Sequence, residues 1–83
     1  MFWTYILNSE FDNSYYVGHT QDIKTRLREH NFGRTGYTKL KRPWKLIYKE
    51  EYKTRTEAIQ RERCLKRLKS RVALEKIIGL VGP

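Results

Sequence analysis

The sequence predicts a small α/β (α+β) domain, with a three-stranded, mainly antiparallel sheet flanked by about three helices in the order ββαβαα. Two strand-like runs at the start, separated by turn residues, predict a hairpin. After Gly18 the apolar period changes from that of a strand to that of a helix, returns at Trp44, and changes again after Thr54. A chain of 83 residues builds one modest core, so 1–83 is read as a single domain with its core over about 3–78.

Residues 2–8 alternate Phe2, Thr4 and Ile6 with Trp3, Tyr5 and Leu7, a strand covered on both faces or nearly so. Ser9 to Ser14 is turn material, with Asp12-Asn13 able to take left-handed angles. Tyr15-Tyr16-Val17-Gly18 is the returning strand, and Gly18 is expected to end it where the backbone approaches something closely. Thr20 or Asp22 caps the first helix, which runs to about Phe32 and stops at Gly33. Ile23, Leu27 and His30 form its inward stripe. Arg26, four residues before His30, flanks that stripe with its stem packed and its head at the domain's edge.

The segment 33–42 has two glycines, four basic residues and no acid, and is expected to be a mobile loop. Trp44, Leu46 and Tyr48 alternate with Lys45, Ile47 and Lys49 in a third strand extending towards Tyr52. Thr54-Arg55-Thr56-Glu57 fits a capping box, in which the glutamate reaches back to the cap residue's amide. The helix that follows runs to about Leu68, with Ala58, Glu62 and Leu65 inward. Ser70 caps a third helix that packs Val72, Ala73, Leu74 and Ile77 inward and ends at Gly79.

A net charge of +9 points to a phosphate polymer as partner, because each neutralised phosphate releases counterions whatever its sequence. A mean hydropathy of −0.80 reflects the charged third of the chain, and 39% apolar residues are enough to fold alone. Cys64 is the one cysteine, so neither an internal disulfide nor a thiolate zinc cage can form. Met1 to Leu7 lacks a basic leader and is too short to span a bilayer. These two observations predict a cytoplasmic protein with no membrane partner. Cys64 itself is expected to be a buried or semi-buried small residue.

Glu62 is the most informative single position. A stripe position normally holds an apolar residue, because burying an unpaired carboxylate is costly. Two readings follow: Glu62 pairs with a cation of the first helix, or it holds a metal ion in a cleft. A lone carboxylate with waters and phosphate oxygens suits Mg²⁺. Tyr5 and Tyr16 sit on adjacent strands and can face one side, either as packing residues or beside a cation that biases them towards proton transfer. Arg26 offers a planar, permanently charged fork suited to phosphate. His19 and His30 each fit a hydrogen-bonded structural role or a base. The hairpin, the first helix and Glu62 are expected to meet in space around one phosphate-sized cleft.

These residues have a familiar arrangement. Tyr5-Ile6-Leu7, Tyr16-Val17-Gly18, Arg26 and His30 on one helix, and Glu62 on a later one resemble the GIY-YIG nuclease superfamily. The resemblance covers roughly Trp3 to Ile78 and is closest to small stand-alone bacterial members described as excinuclease-domain-like proteins. The first motif departs from the family pattern, with Trp3-Thr4 where a glycine precedes the tyrosine. The resemblance implies a DNA endonuclease working with one divalent ion, Mg²⁺ or Mn²⁺. It implies that Tyr16 activates or positions the attacking water, that Tyr5 lines the same site, and that Arg26 holds the scissile phosphate. His30 takes the helical histidine or tyrosine place, Glu62 the metal glutamate, and His19 a place with a basic or polar residue. A role in DNA repair or recombination follows by analogy.

Arg34, Lys39, Lys41, Arg42 and Arg61 are expected to contact the nucleic acid, DNA first, with RNA or branched DNA as variants. The chain shows no separate DNA-binding domain. A non-catalytic nucleic-acid-binding module with a degenerate or weak nuclease site is therefore the alternative. A structural protein whose arginine-rich helix docks an acidic surface is the third reading.

Overall fold

Strand β1 (Phe2–Ser9) lies in the middle of a three-stranded sheet, with β2 (Tyr15–Thr20) and β3 (Trp44–Tyr52) antiparallel on either side of it. The structure is a computed structural model that describes residues 1–33, 36–68 and 70–81, without the side chains of Tyr37, Leu80 and Val81. A central strand has no solvent face, which is why every residue from Thr4 to Ser9 is buried. Alternation sends Ile6 to one face and Tyr5 and Leu7 to the other, and each face gathers its own helices.

On the first face Ile6, Val17, Tyr48 and Leu65 form a core closed by Leu68, Leu74, Ile77 and Ile78. Leu65 comes from α3 (Arg55–Arg67), and the two isoleucines come from α4 (Arg71–Val81). On the second face Tyr5, Leu7 and Trp44 pack under Ile23 and Leu27 of α1 (Ile23–Asn31). Full burial of a side chain such as Ile6 or Leu65 contributes roughly 1.5–3 kcal/mol, so these few contacts carry much of the stability.

The helix ends follow the sequence. The Asp22 carboxylate accepts from the amide of Thr25, and the Thr54 hydroxyl accepts from the amide of Glu57. Gly33 has a φ of +75°, the left-handed conformation that closes α1 after Phe32. The Glu57 carboxylate, expected to reach the Thr54 amide, instead accepts from the Thr54 hydroxyl at 2.9 Å.

Several local expectations change. Gly18 does not end β2, which continues through His19 to Thr20 because Gly18 is still paired with Tyr5 of β1. The segment expected to be a loop contains a helical turn, α2 (Gly36–Lys39), and fully buries Thr38. In β3 the pairing skips Ile47, Ile6 lying opposite Tyr48 and Leu7 opposite Leu46. This irregularity puts Trp44 and Leu46 on the second face and Tyr48 on the first, although their alternation had placed all three together. Val72 is exposed and Gly79 lies within α4, whose packed face is Leu74, Ile77 and Ile78. Cys64 is exposed on α3. No helix among the described residues is long and apolar enough to cross a membrane.

Candidate active site

Tyr5 is the buried centre of the second face, and its hydroxyl lies 3.0 Å from Nε2 of His30. The other ring nitrogen of His30, Nδ1, is 2.8 Å from the hydroxyl of Thr38. Arg26, one turn before His30 on α1, brings its guanidinium charge close to the Tyr5 hydroxyl. A neutral imidazole has one donor and one acceptor nitrogen, so His30 links the Tyr5 and Thr38 hydroxyls by donating to one and accepting from the other. The chain Arg26, Tyr5, His30, Thr38 runs from the half-exposed edge of α1 into α2.

The electrostatics match that order. Burial pushes the Tyr5 hydroxyl up to about 12, against the lowering effect of nearby Arg26, so it keeps its proton at neutral pH. Burial, then the Arg26 charge, holds His30 down to about 4, so the imidazole is neutral. Burial works against the Arg26 charge, but Tyr5 and Glu29 outweigh it and keep Arg26 above its ordinary value. Tyr16 is half-buried and stands edge-on to His30, with ring centroids 4.9 Å apart.

Gly18 is what allows Tyr5 to sit here. A Cβ at Gly18 would lie 2.6 Å from the Tyr5 hydroxyl oxygen and 3.1 Å from the Tyr16 ring. Gly18→Ala is expected to displace the Tyr5 hydroxyl and cost about 1–3 kcal/mol in urea unfolding. Gly79→Ala, with nothing within 4 Å of the new methyl, is expected to stabilise α4 by about 0.5–1 kcal/mol. Equal effects at the two sites would refute the steric account.

Alternation turns His19 to the other face, where α3 lies. There its Nδ1 donates to Glu62 Oε1 at 2.5 Å, and Lys66 donates to Oε2 at 2.6 Å. Burial works to raise the Glu62 pKa, but the bonds from Lys66 and His19 outweigh it and hold the carboxylate below its usual range. Glu62 thus pairs with β2 and its own helix, and not with a cation of the first helix. Its charge is nonetheless close enough to raise the Tyr5 pKa. The sequence-selected residues therefore do not share the single cleft expected of them but form two groups: Tyr5, Tyr16, Arg26 and His30 on the α1 face, and His19 with Glu62 on the α3 face. Edge strand β2 lies between them.

Of the basic residues, Lys39 and Arg42 are exposed, and Lys41 pairs with Asp12 at 3.2 Å. Arg61 faces Glu50 of β3, donating to both carboxylate oxygens at 2.9 and 3.2 Å. Tyr48 and Tyr52 donate to the same carboxylate, so Arg61 is part of a structural cluster. Arg34 lies outside the described residues.

Sequence reasoning missed Thr38, Asn31 and the Trp44 indole. Asn31 accepts from the Trp44 amide at 2.6 Å and donates to its carbonyl at 3.1 Å, fastening α1 to β3. The Trp44 indole donates to the Thr38 carbonyl at 2.9 Å and holds α2 under His30. A threonine in a basic, glycine-bearing segment carries no local signal of this.

The model of the GIY-YIG catalytic domain matches residues 1–76. UPF0213 protein lwe0147 of Listeria welshimeri is 50% identical over 58 residues, covering 69% of this chain and 64% of that protein. UPF0213 protein YazA of Bacillus subtilis is 45% identical over 58 residues, covering 69% of this chain and 59% of that protein. The chain thus matches less than two thirds of the length of these relatives. The solution NMR structure of UPF0213 protein BH0048 from Bacillus halodurans has a TM-score of 0.64 and 32% identity, over 99% of this chain and 87% of that one.

Proposed function

The chain belongs to the GIY-YIG catalytic domain family, and from that premise we propose that it is a Mg²⁺-dependent endonuclease hydrolysing DNA phosphodiester bonds. The GIY-YIG domain is a nuclease fold, so cutting nucleic acid is its kind of chemistry. One observation carries the reading: α1 brings Arg26 to one face of edge strand β2, while His19 of that strand fixes the Glu62 carboxylate of α3 on the other. A phosphate at the β2 edge would have the guanidinium on one side and the carboxylate on the other.

The proposed roles follow from exposure and charge. Arg26 binds the scissile phosphate and stabilises the negative charge that grows as phosphorus becomes five-coordinate. Tyr16 positions or activates the water, whose oxygen bonds to phosphorus as the ester P–O bond breaks and the alcohol leaves. Tyr5, with its pKa near 12, stays protonated and aims Arg26. His30 has no exposed surface, so it is a positioning residue for Tyr5 and does not touch substrate.

Glu62 would hold the divalent ion, with His19 fixing its other oxygen. Among the described residues no group of three or more His, Cys, Asp or Glu could hold a metal. A protein-caged ion therefore does not fit, whereas a hydrated Mg²⁺ or Mn²⁺ anchored by one ionised carboxylate does. When bound, such an ion offsets phosphate charge and lowers the pKa of water. Lys66 is 52% exposed and can swing off Oε2 to make room.

The test is nicking of a supercoiled plasmid with and without Mg²⁺. Nicking is expected only with the metal, and Glu62→Gln is expected to reduce it about 100-fold or more. Metal-independent nicking, or an unaffected variant, would overturn the assignment. The second reading, a binding module without turnover, is favoured by one observation: both Glu62 oxygens already have partners. It predicts salt-sensitive DNA binding and no product with any divalent ion.

A further inference from the structure

At the end of the sheet beyond Tyr5 and Leu7, three separate segments are fastened together. The Ser9 hydroxyl, closing β1, donates to the Lys41 carbonyl at 2.5 Å, and the Glu10 amide donates to the Pro43 carbonyl at 2.8 Å. Lys41 pairs with Asp12 at 3.2 Å. These bonds bring the hairpin tip, with Phe11, beside residues 40–43. From the other side, a Cβ on Gly33 would lie 2.7 Å from Arg42 Nη1 and 3.2 Å from Lys39 Cγ, which places the end of α1, with Phe32, against the same segment.

Two aromatic rings and a leucine are left in water at this end: Phe11 is 71%, Phe32 68% and Leu40 81% exposed. The domain has a complete core without them. Lys39, Lys41 and Arg42 lie among them, and the acids at this end are Glu10 and Asp12. Asp12 is taken by Lys41, while Lys39 and Arg42 have no carboxylate partner among the described residues.

Aromatic faces beside cations match the two chemistries of an unpaired nucleotide, a π-faced base and an anionic phosphate. A duplex hides its base faces in the stack, so such a surface discriminates for single strands. We propose that Phe11 and Phe32, with Lys39 and Arg42, form a stacking platform for unpaired nucleotides. Ser9, where β1 meets the hairpin tip that carries Phe11, is four residues from Tyr5, about 13 Å at the rise of a strand, so the platform lies within reach of a few nucleotides of the site. It rests on the nuclease reading for the bond that is cut, and it directs that site to single-stranded, flapped or frayed DNA.

The test uses the full chain in EDTA, so that binding is measured without cleavage. Fluorescent oligo-dT and a duplex of the same length are titrated by anisotropy. Phe11→Ala and Phe32→Ala are each expected to weaken oligo-dT binding roughly 5- to 100-fold and duplex binding less than about twofold. Phe→Tyr is expected to restore oligo-dT binding, while Phe→Leu, which keeps apolar area without a π face, does not. Equal losses on both nucleic acids, no loss, or rescue by leucine would overturn the platform. So would sedimentation showing a dimer of this chain that Phe11→Ala dissolves. Plasmid nicking is not read in this assay, so failure here is separate from failure of the nuclease assignment.

Discussion

Arg26→Ala is expected to lower kcat for DNA cleavage about 100- to 1000-fold, with KM changed by less than about threefold. The size follows from where the charge sits. The guanidinium is half-buried, close to Tyr5 and held by Glu29 at 3.2 Å, so it needs little reorganisation as phosphate charge grows. Many other basic groups remain to bind the DNA backbone, which is why ground-state affinity should persist. Arg26→Lys keeps the charge but loses the fork, and should recover only part of the rate. A second readout separates this role from a fold defect. The Arg26 charge is one of the causes that hold His30 low, so the variant's His30 titration should move up in NMR. A change confined to KM would reduce Arg26 to a backbone contact.

Folding stability is expected to fall by about 3 kcal/mol as pH drops from 6.5 to 4, from His30 alone. The sign follows from proton uptake. His30 is fully buried as a neutral ring and has a folded pKa of about 4 against an ordinary 6.5, so in this window the unfolded chain binds a proton that the native one refuses. Stability from this group is complete above pH 6.5, is lost as pH falls towards 4, and changes no further below. Asp12 and Glu62, both held below their usual values, lose their contribution at lower pH, from about 4.5 downwards. The loss between pH 6.5 and 4.5 is thus a signature of the histidine. Urea unfolding at a series of pH values measures it, and His30→Gln should flatten that part of the curve. An unchanged slope in the variant would remove the claim.

Much of the fold was legible because its signals are local. The Ser9–Ser14 turn, the caps at Asp22 and Thr54, and the helical stop at Gly33 act within a few residues of themselves. What misled was also local: β3 reads as one alternating strand, yet a single skipped residue at Ile47 turns Tyr48 to the opposite face from Trp44. Thr38 reads as loop because its reason for burial is His30, eight residues away.

From the amino-acid order alone came the ββαβαα plan, the basic character, and the set Tyr5, Tyr16, His19, Arg26, His30 and Glu62, since residue type and spacing survive any packing. Only the tertiary structure decided how that set divides. Strand alternation turns His19 to Glu62 and leaves Tyr16 beside His30, so the charges approach the β2 edge from opposite faces. The same long-range contacts decided that Arg61 serves Glu50 and that Phe11 and Phe32 come to one end. Partners distant in sequence are chosen by burial and by hydrogen bonds that form only when the sheet closes, and no local pattern encodes them.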